Sequence, residues 1–159
     1  MVTEEQVRWI GLFFLFSFMD EKTALLATHR TVAHLKATVA ADREAEEGKT
    51  VITRDVLIKT LRKMFDQHRR LLPRNRPTTQ PESVWRLPDH FDIAAWSKFQ
   101  KDSSDGEVVA VVLSRVLRFT DDEIAEGMNL SLGTVRYRLG KAIRQLGAAA
   151  ITMGAKARA

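Results

Sequence analysis

"EIAEGMNLSLGTVRYRL", Glu123 to Leu139, is the stretch on which the reading of this chain turns. A short amphipathic run leads to Asn129. Ser131 follows, and then a basic run begins. Two helices that meet at a tight turn need a small residue where they nearly touch. They also need a left-handed residue at the turn and an apolar plug in the second helix. Ala125, Asn129 and Val135 occupy those three places. Asn tolerates the left-handed region better than most residues. Thr120 with Glu123 forms a capping box for the first helix, whose apolar side is Ile124 and Met128, and Ser131 can cap the second.

Along the second helix, Val135, Leu139, Ala142 and Leu146 fall on one side, the side expected to face a core. Gly133, Tyr137, Gly140, Lys141 and Arg144 fall on the other, with Arg136 and Arg138 on the flanks. The outward face is basic, slim at two glycines, and carries one aromatic. The acids Asp121, Asp122, Glu123 and Glu126 sit on the preceding helix. Entry into a DNA major groove asks for this segregation: cations for phosphates and guanine edges, and no carboxylate to repel the backbone. A plain helical hairpin with a solvated basic face shares the turn, and the charge segregation favours the DNA reading over it.

The rest of the chain reads as helical too. Thr3 with Gln6 makes a capping-box start for "WIGLFFLFSFM", Trp9 to Met19, which is apolar all round. That run is too short to span a bilayer and lacks the flanks of a signal peptide. It is expected as a buried helix, covered by its own domain or by a partner. Asp20 suits an N-cap for a second helix with a stripe of Leu25, Thr28, Val32, Leu35 and Val39. "ADREAEEGKT", 41 to 50, reads as a loop. Thr53 can cap a third helix with a stripe of Leu57, Leu61, Met64, His68 and Leu71, ended by Pro73.

All four prolines lie in Pro73 to His90, which reads as a linker. A short helix follows, anchored by Phe91, Ile93, Trp96 and Phe99, and "DSSDG" breaks it. "EVVAVVLSRVL" reads as a helix, because Val108, Val109, Val112, Leu113, Val116 and Leu117 recur at helical spacing. The last helix is expected from about Leu132 to Ala150, with a frayed tail. The fold class is therefore all-α, in two small helical domains. The expected division is 1–72 helical domain, 73–90 linker, 91–150 helix-turn-helix domain and 151–159 tail.

Composition sets bounds on function. The 159 residues carry 25 Lys and Arg against 20 Asp and Glu, a formal net charge of +5, which favours polyanionic partners. With no Cys, there is no disulfide framework, thiolate metal site or Cys nucleophile, which fits a cytoplasmic protein. His29, His34, His68 and His90 show no metal-ligand spacing, and the glycines form no phosphate loop. The expectation is a non-enzyme with no catalytic residues, no metal and no cofactor.

"TDDEIAEGMNLSLGTVRYRLGKAIRQL", Thr120 to Leu146, resembles region 4 of bacterial sigma factors, especially the extracytoplasmic-function group. "EIAE", then "S-x-GTV-R-x-RL", then a basic residue and "A-x-x-x-L" carry the resemblance without a gap. It implies the minus-35 promoter element as target. It also implies DNA contacts at Ser131, Gly133, Thr134, Arg136, Tyr137, Arg138, Lys141 and Arg144. "TLRKMFDQHRRL", Thr60 to Leu71, loosely resembles the end of sigma region 2, and Arg62, Lys63, Arg69 and Arg70 suit a second DNA surface. The resemblance implies promoter DNA and core RNA polymerase as partners. It departs from the family at Leu25, Leu26 and His29, where sigma factors usually carry an acidic pair and a Gln that grip polymerase. It departs again at Ser103 and Ser104, where they usually have Leu-Pro. Two alternatives follow: a sigma mimic that binds an anti-sigma-like regulatory protein, or a helix-turn-helix regulator that dimerises through its apolar N-terminal helices.

Overall fold

The computed structural model describes residues 1–45, 51–72 and 91–158, and side chains over 1–41, 51–72 and 91–150. The expected linker, with Trp85, lies outside the described residues. Every element among those residues is helical: α1 (Glu4–Phe18), α2 (Glu21–Ala45), α3 (Arg54–Arg70), α4 (Ile93–Asp102), α5 (Asp105–Val111), α6 (Asp121–Met128) and α7 (Leu132–Arg158). A π turn over Val112–Val116 continues α5. The fold class is all-α, as the periodicity implied.

α1 lies at the centre of the core. Its capping box forms as expected, with Gln6 N–H donating to Thr3 Oγ1 and Thr3 N–H returning to Gln6 Oε1. Ile10, Phe13, Phe14, Leu15 and Phe16 are all buried. A helix that is apolar all round must be covered on several sides, and the chain itself supplies the cover. α2, α3 and the π turn pack against it. α4 adds the rest: Trp96 Nε1–H donates to Phe16 O at 3.0 Å, and Gln100 Nε2 donates to Phe16 O and Ser17 O at 3.1 and 2.8 Å. The last carbonyls of a helix have no partner within it, so α4 caps α1 from the other half of the sequence. Rings join the halves as well, with Phe16 edge-on to both Phe91 and Trp96. The result is one continuous core across residues 1–72 and 91–150.

Met19 turns α1 into α2 in a left-handed conformation (φ 47°, ψ 40°) and is fully buried. Such a conformation is costly for a side chain with a Cβ, and the burial offsets the cost. Asp20 then caps α2, accepting Thr23 N–H at 2.8 Å.

The structure corrects five details of the sequence reading. Thr53 stands at the N-cap of α3, but its side chain makes no capping hydrogen bond. Leu25, the first residue of the expected α2 stripe, is 43% exposed, and its neighbour Leu26 is 47% exposed. The buried line is Ala24, Ala27, Thr31, Leu35 and Val39. The reason is steric: α2 packs most extensively on α1, whose phenyl rings occupy the space, so small residues face them. α2 also continues to Ala45, into the segment read as a loop. Leu71 lies just past α3 and is 75% exposed, while Leu57, Leu61, Met64 and His68 are buried as expected. Finally, α7 extends to Arg158 rather than stopping near Ala150.

α5 and its π turn hold Val108 to Leu113 in the core. Leu117 N–H reaches back five residues to Val112 O at 3.1 Å, and Arg118 is left-handed (φ 61°). This tightly bent exit aims the chain into α6.

Candidate nucleic-acid interface

The turn between α6 and α7 has the form the sequence implied. Thr120 and Glu123 complete their capping box at the start of α6. Asn129 is left-handed (φ 53°, ψ 50°), and Leu130 N–H closes the helix end on Ala125 O at 2.9 Å. Ala125 and Val135 are buried at 9% and 1% exposure, the close-contact site and its plug. Ser131 Oγ accepts Thr134 N–H at 3.1 Å and bonds the Thr134 hydroxyl at 2.8 Å, which fixes the start of α7. Val135, Leu139 and Ala142 face the core.

The expected contact residues fall into two groups. Ser131, Gly133, Arg136, Tyr137 and Arg144 are exposed and Thr134 is partly so, as is Gly140 on the same outward face. Tyr137, the sole tyrosine of the chain, is 65% exposed. Arg136 Nε lies 3.5 Å from Asp121 Oδ2, with its side chain 64% exposed. A solvent-exposed pair of this kind contributes about 0–1 kcal/mol, so Arg136 is readily released to another anion.

Arg138 and Lys141 turn the other way, toward the bend between α4 and α5. Lys141 Nζ lies 2.8 Å from Glu107 Oε1, and the Glu107 side chain is only 6% exposed. A Cβ built on Gly106 would stand 2.9 Å from Arg138 Nη1, so the guanidinium lies against the Gly106 backbone. One step further along α7, Ser103 Oγ bonds Gln145 Oε1 at 2.8 Å. Burial raises the Glu107 carboxyl. The hydrogen bond from Lys141, the Ser104 N–H and the Lys141 charge outweigh that, and the group ends below its ordinary 4.5. Lys141 is correspondingly raised by the Glu107 hydrogen bond and charge.

On α3 the expected second surface is half engaged within the fold and half open. Arg62 Nε meets Asp66 Oδ2 at 3.1 Å and its guanidinium lies 5.9 Å from the Phe65 ring centre. Arg69 Nε reaches across to Asp105 Oδ1 at 3.3 Å. Lys63 and Arg70 are exposed. At the other end of α3, Arg54 donates to Glu123 at 2.7 Å and sits 5.5 and 5.7 Å from the ring centres of Trp9 and Phe119. α3 thus braces α6 at one end and the start of α5 at the other.

Sequence reasoning did not single out Glu107, Asp105 or Gly106. A signal existed for one of them. Ser104 with Glu107 has capping-box spacing, and both bonds of that box form at the start of α5.

Among the described residues, no group of three or more His, Asp or Glu side chains could hold a metal ion, and no helix is long and apolar enough to cross a membrane. No family model and no curated protein matches the chain. One solved structure is similar in fold: the sigma factor RpoE of Bartonella quintana in complex with the anti-sigma factor NepR. The TM-score is 0.60 at 18% identity, over 91% of each chain. The chain therefore has a sigma-factor-like all-helical fold.

Proposed function

We propose that this chain is a sigma-like transcription initiation protein, cytoplasmic and not an enzyme. In this reading α6 and α7 bind promoter DNA, and the chain brings core RNA polymerase to it. One observation carries the reading. The helix-turn-helix is complete at Ala125, Asn129 and Val135, and it turns Arg136, Tyr137 and Arg144 outward on a sigma-factor-like fold. Fold likeness alone does not assign a function. The outward cations and slim glycines give the site-level argument, since they suit phosphates and base edges. Residues 1–72 would be the polymerase-facing unit and 91–150 the DNA-reading unit. Lys63 and Arg70 would be the α3 cations most open to a second stretch of DNA.

The test is a fluorescence binding titration over several salt concentrations, on a duplex selected by the full chain from a random pool. Charge removal at Arg136 and Arg144 should weaken binding and reduce the salt slope by about 1 for each phosphate no longer neutralised. Unchanged slopes would remove α7 as the DNA-reading element. A pull-down should retrieve core RNA polymerase.

A second reading is a sigma mimic that holds an anti-sigma-like regulatory protein. Its support is the exposure of Leu25 and Leu26 on α2, where the resembled family usually has acids. The RpoE of the similar structure is itself bound to an anti-sigma factor. Retrieval of a small regulator and no polymerase in the pull-down would favour this reading.

A further inference from the structure

The geometry points to Glu107 as a positioning residue for the reading helix, acting through Lys141. This rests on the DNA-reading proposal above and divides its basic residues by task. Arg136 and Arg144 meet DNA, and Lys141 holds the helix at its working angle.

The two ion pairs of α7 differ in what breaking them costs. Arg136 and Asp121 are both open to solvent, at 64% and 37% side-chain exposure, so water replaces either partner. Glu107 is 6% exposed. Its Oε2 already accepts Ser104 N–H at 3.1 Å, and its Oε1 faces Lys141. If Lys141 left for a phosphate, a carboxylate would remain in a buried site without its counter-charge. Only the carboxylate of this pair is buried, and leaving it without its counter-charge costs more than losing a pair exposed on both sides. The neighbours support the same assignment. Arg138, Lys141 and Gln145 lie along one face of α7, and the segment 103–107 engages each of them at Gly106, Glu107 and Ser103. Asp105, in that same segment, also takes Arg69 of α3. The junction of α4 with the first turn of α5 therefore fixes the reading helix and the N-terminal half against one frame.

The two roles open to Lys141 give opposite signs for one variant. If Lys141 were a phosphate ligand, Glu107 would compete with DNA for it, and Glu107→Gln would tighten binding. If Glu107 positions α7, the same variant weakens binding. The measurement uses the full chain and the selected duplex, titrated across salt concentrations, with Arg144→Gln as the reference contact. Glu107→Gln and Lys141→Gln should each lose about tenfold in affinity, the order of one charged hydrogen bond, with the salt slope unchanged. Arg144→Gln should lower the slope by about 1. Amide exchange in the free protein should speed up over residues 138–145 in Glu107→Gln, because the clamp is loosened. Tighter binding by Glu107→Gln, or a slope reduced by about 1 in Lys141→Gln, overturns the assignment and leaves DNA reading intact. Unchanged exchange over 138–145 overturns it too. If Arg144→Gln changes nothing, or no duplex is selected, the DNA reading fails and this inference falls with it. Should Glu107→Gln not fold, Lys141→Gln decides the matter by its slope alone, since its side chain is 43% exposed.

Discussion

α3 and α7 are both rich in Lys and Arg, yet they use those charges differently. On α7, Arg136, Tyr137 and Arg144 stand out into solvent beside Gly133 and Gly140, and the carboxylate near Arg136, Asp121, sits on the adjoining α6 at 3.5 Å. On α3, Arg54, Arg62 and Arg69 each have a carboxylate within reach, and two of those carboxylates, Glu123 and Asp105, belong to the other half of the chain. A count of basic residues therefore overstates the open charge of α3 at Arg62 and Arg69, while Lys59, Lys63 and Arg70 remain exposed. α7 offers a face, while α3 both braces the fold and keeps exposed cations.

The bracing role of α3 can be broken hardest at its contact with α6. Gly127 is buried, and a Cβ there would stand 2.5 Å from Ile58 Cβ and 2.6 Å from Ile58 Cγ2. Those atoms sit on a packed helix and cannot swing aside. In an open helix, Gly→Ala would help; here overpacking should dominate. Gly127→Ala is expected to cost about 1–3 kcal/mol in chemical denaturation. A variant with the wild-type midpoint would show that α6 is not seated on α3 in solution.

A smaller effect probes the inner side of α3. His68 is 4% exposed and lies near the rings of Phe14 and Phe18. Burial, and secondarily the Arg30 charge on α2, hold its pKa below the ordinary 6.5. The unfolded chain therefore binds the proton more readily than the folded one. The stability associated with neutral His68 is fully present above pH 6.5 and is lost as pH falls from there toward the lower folded value. Asp55, Glu107 and Glu123 are depressed carboxylates with ordinary values of 3.8, 4.5 and 4.5, so they act only at more acid pH. The thermal midpoint should fall between about pH 7.5 and 5.5, the range in which an imidazole titrates, and His68→Leu should flatten that fall. If His68→Leu keeps the full slope, the imidazole is not the group responsible.

How much of this was legible in the sequence depends on what each residue touches. Caps and helix periods act over three or four residues, so Thr3, Asp20, Thr120 and Ser131 were readable, as were Ala125, Asn129 and Val135. The burial of α1 was readable because no helix leaves five phenyl-sized faces in water. The inner line of α2 was not readable. Ala24, Ala27 and Thr31 face α1 because its rings leave room only for small residues, and a hydrophobicity stripe points to Leu25 instead. The π turn was hidden too, since its bond from Leu117 to Val112 spans five residues and the valine spacing fits an ordinary helix equally well. In the candidate site, a helical wheel separates core from surface but cannot place a neighbouring segment. Lys141 and Arg144 look alike on the wheel, and the segment 103–107 tells them apart.

The smallest effect tests the open face of α7. Gly140 and Gly147 are both helical, and a Cβ at Gly147 would meet nothing within 4 Å. At Gly140 it would meet only Arg144 Nη1, at an ordinary 3.6 Å. Neither glycine has positive φ. Alanine in a helix interior is favoured over glycine by about 0.5–1 kcal/mol. Both Gly→Ala variants should therefore raise the thermal midpoint slightly and by similar amounts. Their effects on DNA should differ. Gly140 lies between Arg136 and Arg144 on the outward face, so a methyl group there stands where a duplex would approach, whereas Gly147 lies a further two turns along. Gly140→Ala should weaken binding to the selected duplex while Gly147→Ala leaves it unchanged. Equal affinities would mean that the backbone of α7 stays clear of the groove and that only its long side chains reach the DNA.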